Sequence, residues 1–117
     1  MIELSLDRDR FAPGDVVRGR VTVLHSGLQE IQVGLLFREE GNRLEQTVSQ
    51  VLADGLDGAV DFEAGAIVDF EIELPADAPP NVESRHGALF WEIVAHTDRV
   101  GSPQTADRRI VVEKRSD

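Results

Sequence analysis

Apolar and polar residues alternate along most of this chain. Ile2, Leu4 and Leu6 bracket Glu3 and Ser5, the period-two pattern of a half-buried strand. Residues 7–15 turn the chain: Pro13 presets its own φ, and Gly14 supplies the positive φ a type II turn needs. Alternation resumes over residues 16–24, with Val17, Val21 and Val23 on one face and Arg18, Arg20 and Thr22 on the other. Gly19 falls on the apolar face, where a glycine marks a bulge or a neighbour packed against the backbone.

Residues 25–27 lead into an inward row of Ile31, Val33, Leu35 and Phe37. Residues 39–42 read as a hairpin turn, and Leu44, Val48 and Leu52 give a weaker strand pattern. The segment DGLDG (54–58) has turn chemistry throughout, and Ala64-Gly65 reads as another turn. The cleanest strand sets Val68, Phe70, Ile72 and Leu74 against Asp69, Glu71 and Glu73. Pro75 cannot donate to a ladder and ends it, and Pro79-Pro80 keep the following segment extended. Leu89, Trp91, Ile93 and Ala95 form the next inward row; residues 98–105 read as loop, and Ile110 with Val112 close the last strand. No segment has helical spacing. The pattern predicts an all-β fold, an antiparallel sandwich of about seven to nine strands.

A chain of 117 residues fits one domain, so residues 1–117 are expected to fold as a single sandwich. That length buries roughly two-thirds of the surface its unfolded form exposes and needs no disulfide or metal. The chain has no cysteine, which removes disulfides and thiolate chemistry and fits a reducing compartment. A net charge of −10 repels phosphate backbones and anionic bilayers, so neither nucleic acid nor a membrane surface is an expected partner. No apolar run reaches membrane-spanning length, and the N-terminus reads as a strand instead of a signal segment; a cytoplasmic location is expected.

Three blocks in this order resemble the arrestin-like superfamily, in particular its bacterial relatives that include sporulation-control proteins. The first is the turn carrying Phe11, Pro13, Gly14 and Asp15; the second is Val17, Gly19 and Val21. The third is the strand end Phe70, Ile72, Leu74 and Pro75, with Pro79 and Pro80 just after it, leading to the Trp91 strand. The resemblance spans roughly residues 2 to 113. It implies an immunoglobulin-like sandwich and a non-enzymatic role as a protein-binding adaptor or scaffold. Full arrestins carry two such sandwiches, whereas this chain has room for one. The first strand has no lysine pair of the kind that senses receptor phosphate, and the absence of tyrosine removes the usual Pro-Pro-x-Tyr tail.

Candidate chemistry changes this picture little. His25, His86 and His96 each lie near a hydroxyl or carboxylate residue (Ser26, Ser84, Asp98), but no Gly-x-Ser-x-Gly element presents a nucleophile. His86, His96 and Asp98 lack zinc-site spacing, and Asp54, Asp57 and Asp61 lack the pattern of an EF-hand loop. No catalytic residue, cofactor or metal ligand is assigned. Trp91 reads as core, whereas Phe90 and Val94 alternate onto the outer face of the same strand, with Leu36 and Val111 also outward. These four are the candidate partner-binding residues. The expected function is a non-enzymatic protein–protein interaction module, with an unnamed protein partner and two-fold self-association. The alternative is a ligand-binding sandwich, a carbohydrate or calcium module.

Overall fold

In the computed structural model, which describes residues 2–41, 44–53, 58–99 and 104–113, the alternating segments become two facing sheets. Ten strands follow one another: β1 (Ile2–Leu6), β2 (Arg10–Phe11), β3 (Val16–Val23), β4 (Gly27–Gly41), β5 (Leu44–Leu52), β6 (Val60–Phe62), β7 (Ile67–Glu73), β8 (Val82–Ser84), β9 (Gly87–Arg99) and β10 (Gln104–Val112). The smaller sheet has the order β1-β3-β7. The larger runs β2-β10-β9-β4-β5, with β6 along β4 and β8 along β9. Every pairing is antiparallel except that of β2 with β10.

The inward rows are those the alternation marks. Ile2, Leu4, Val17, Val21, Val23, Phe70 and Ile72 come from the smaller sheet and face Ile31, Val33, Leu35, Phe37, Trp91, Ile93, Ala95, Ile110 and Val112 from the larger. Trp91 is 1% exposed, and its ring centroid lies 4.7 Å from that of Phe37. Burying an indole orphans its N–H unless an acceptor is supplied. Pro79 supplies it: Trp91 Nε1 donates to the Pro79 carbonyl at 2.8 Å. The proline segment is held there by Asn81, whose Nδ2 donates to the Ile110 carbonyl at 2.8 Å while its Oδ1 accepts from Val112 N at 3.0 Å. A side-chain amide thus stands in for a strand along β10 and closes the lid over the tryptophan.

The turn at Pro13-Gly14 forms as expected, with Asp15 N donating to the Ala12 carbonyl at 3.0 Å and Gly14 at φ 86°. Gly19 is required by close approach and not by a bulge, since its pairing with Leu6 and with Phe70 is unbroken. A β-carbon there would stand 2.5 Å from the Ser5 carbonyl oxygen and 2.8 Å from Phe70 Cζ.

Several expectations are corrected. The hairpin turn read at residues 39–42 is strand as far as Gly41, because Glu39 and Glu40 pair with both β5 and β9. Beyond the packed layers a strand loses nothing by carrying polar residues, so its composition there resembles a turn. The weaker strand pattern is strand β5, in which Val48 and Leu52 are 54% and 60% exposed and Val51 packs on the core. A register shift opposite Phe37 and Arg38 leaves Val48 without a partner on β4. The loop read at residues 98–105 begins later, because β9 continues to Arg99 and β10 opens at Gln104. The short strands β2, β6 and β8 carry no alternation of their own.

Candidate interaction surface

Register sets which side chains share the outer face of the larger sheet. Gly34 lies opposite Val94, Leu36 opposite Glu92, and Arg38 opposite Phe90. On the far side of β9, Arg109 lies opposite Glu92 and Asp107 opposite Val94. The alternation therefore brings Leu36, Phe90 and Val94 onto one face, and Val111 follows Arg109 and Ile110 with the same outward parity at the β2 end. Exposure is another matter. Leu36, Val94 and Val111 are half-buried, and Phe90 is only 5% exposed. The Arg109 guanidinium carbon sits 3.7 Å from the Phe90 ring centroid and covers it. Phe90 is thus a capped side chain of the sheet, not an open aromatic platform.

Between Phe90 and Val94 on this face stands a largely buried ion pair. Arg38 Nη1 donates to Glu92 Oε1 at 3.0 Å, and the two side chains are 22% and 10% exposed. Desolvated charges of this kind hold only when paired.

The open apolar part of the face lies toward β5. Leu52 pairs with Gly34, and the missing side chain of Gly34 lets Leu52 and Leu36 lean over the same spot. A β-carbon on Gly34 would stand 3.4 Å from Leu52 Cδ2 and 3.5 Å from Leu36 Cδ1. With Val94 across from Gly34, this makes a small apolar cluster that runs to the rim of the sheet. Sequence reasoning found Leu36 and Val94 but missed Leu52, because the bulge in β5 hides the parity that would have placed it outward.

The outer face of the smaller sheet is of the opposite kind. Arg18 pairs with Glu71 at 2.9 Å, and Arg20 with Asp7 at 3.2 Å and Asp69 at 3.7 Å. Their charges answer one another within the sheet.

The histidines are scattered. His96 Nδ1 lies 3.2 Å from Thr105 Oγ1, the His86 amide donates to Ser84 Oγ at 3.3 Å, and His25 is exposed. Among the described residues, no three His, Asp or Glu side chains group as metal ligands. Asp54 and Asp57 lie outside the described residues, and Asp61 is an exposed residue of β6. No helix among the described residues is long and apolar enough to cross a membrane.

No family model matches this sequence, and no curated protein matches it. Among solved structures the fold is similar to that of Spo0M, a sporulation control protein from Bacillus subtilis, with a TM-score of 0.66 at 21% identity. The match covers 96% of this chain and 48% of that one, so the chain spans about half the length of Spo0M. The molecule is an all-β sandwich with the fold of an arrestin-like protein, as the order of turn, glycine strand and tryptophan strand implied.

Proposed function

We propose that this sandwich is a non-enzymatic, cytoplasmic protein-binding module of arrestin-like type, working as a single domain over residues 1–117 and pairing two-fold with itself. The observation that carries the reading is the Leu36–Leu52–Val94 cluster around Gly34, an apolar patch running to an open sheet rim on a molecule of net charge −10. The arrestin-like fold adds weight to it. Phe90 and Val111 belong to the same face, with Phe90 supporting the patch from beneath Arg109 instead of contacting a partner.

The test is comparative capture from the native host. Wild-type chain and Leu52→Arg are immobilised side by side, and retained proteins are identified by mass spectrometry. A protein kept by the wild type and lost by an equally folded Leu52→Arg supports the reading; identical retention by both contradicts it.

A further inference from the structure

We infer that the rim strand β5 pairs edge to edge with β5 of a second copy, antiparallel about a two-fold axis near Gln50, joining the two larger sheets into one. This rests on the reading of the chain as a self-pairing interaction module and gives that pairing its place and register.

The argument begins with the edges. A strand at a sheet's rim offers unpaired N–H and C=O groups, and proteins guard such rims with charge. Here β7 carries Asp69, Glu71 and Glu73, and β10 carries Asp107, Arg108 and Arg109. The edge of β1 carries Glu3 and is further blocked where Arg108 Nε donates to the Leu4 carbonyl at 3.2 Å. Short β2, β6 and β8 contain Arg10, Asp61 and Glu83. From Gln46 to Leu52, β5 reads QTVSQVL and carries no charge at all. Among the described residues it is the one rim segment of this length without a charged side chain.

Backbone geometry makes that rim usable. Ala53 N donates to the Val33 carbonyl at 2.9 Å, so the alternation of an antiparallel ladder turns Val51 and Ser49 toward β4. Gln50 and Leu52 then direct their own N–H and C=O groups outward, where no strand meets them.

Charge selects the occupant. A second copy brings the same −10, and like charges placed opposite each other across a ladder are destabilising. Two β7 edges would set carboxylate against carboxylate. Two β5 edges set nothing charged against anything charged. Centred on Gln50, the pairing places Gln50 against Gln50, Ser49 against Val51 and Leu52 against Val48 of the other copy. The two large apolar side chains that β5 leaves exposed thus cover each other, in continuity with the Leu36–Leu52 cluster. The bulge at Val48 limits the regular stretch to residues 49–51, with Leu52 meeting the bulged Val48 at either end. An interface that short lies at the small end of specific contacts, so the dimer is expected to be weak and to form only at high protein concentration.

The chain has no cysteine, so one introduced thiol reports one contact. Full-length Gln50→Cys and Asp69→Cys are oxidised mildly at about 50 μM, and wild type and Gln50→Lys are sedimented up to about 300 μM. These concentrations suit a weak interface. The expected result is a covalent dimer from Gln50→Cys, since paired strands hold their α-carbons within disulfide range, and little from Asp69→Cys. Wild type sediments toward twice 12.9 kDa as concentration rises. Gln50→Lys, with an unchanged melting temperature because the site is exposed, binds itself at least 10-fold more weakly.

A wild type that stays monomeric overturns the inference while leaving capture of another protein untouched. If that captured protein is also lost by Gln50→Lys, the rim serves a different chain. A dimer that survives Gln50→Lys overturns the placement but keeps two-fold pairing. Equal cross-linking of both cysteine variants overturns the register.

Discussion

Arg109 lies over Phe90, its guanidinium carbon 3.7 Å from the ring centroid, and converts an outward aromatic into a covered one. Truncating Phe90 to alanine should therefore destabilise the fold by about 3 kcal/mol, the low end for a buried aromatic. Arg109→Ala should cost about 1 kcal/mol, a cation over a ring at a half-open site. Urea unfolding of both single variants and the double variant checks this; additive costs would mean the contact contributes nothing. A charged residue at position 90 reports on folding before it reports on assembly.

Arg38 and Glu92 form the largely buried ion pair of the same face. Arg38→Met alone should lose about 3 kcal/mol, because it leaves the Glu92 carboxylate desolvated and unanswered. Arg38→Met with Glu92→Leu should recover most of that loss. Chemical denaturation of the three proteins decides it, and a double variant no better than the single would contradict the account.

Gly19→Ala places a methyl group against the Ser5 backbone and the Phe70 ring, neither of which can swing away. Overpacking of this kind costs about 1–3 kcal/mol. The melting temperature should fall, and an unchanged value would mean that β1 and the Phe70 ring give way to the methyl group more readily than their packing implies.

Asn81→Ala removes both amide bonds to β10 and frees the segment that caps Trp91. A loss of about 2 kcal/mol is expected from two buried groups left unpaired. Tryptophan emission should shift to the red in the folded variant as water reaches the indole; emission identical to wild type would show that Asn81 does not hold the lid.

Millimolar calcium should leave the melting temperature unchanged, since a ligand of the native state must raise it. A rise of several degrees would favour the calcium-module alternative and direct attention to the segment around Asp54, Asp57 and Asp61.

The layers were legible in the sequence where burial imposed a strict period of two. Val17, Val21 and Val23, or Leu89 to Ala95, could be assigned to the core from spacing alone, and the match in fold to Spo0M agrees with the motif order. What escaped had no such constraint. β2, β6 and β8 are two or three residues long, too short to show a period. The end of β4 is solvated and needs no apolar row. In β5 one unpaired residue, Val48, shifts the parity, so no single alternation runs through the strand. The candidate surface was half legible for a related reason. Alternation says which face a side chain takes, as for Leu36, Phe90 and Val94, but not what a neighbouring strand lays over it, as Arg109 does over Phe90.

Amide hydrogen exchange along β5 tests most directly that this sandwich works through its uncharged rim. Exchange at Gln50 and Leu52 should slow several-fold between about 5 and 300 μM protein, as outward-facing amides gain partners on a second copy, while Asp69 and Glu71 on β7 exchange at a constant rate. Rates at Gln50 and Leu52 that do not change with concentration would contradict it.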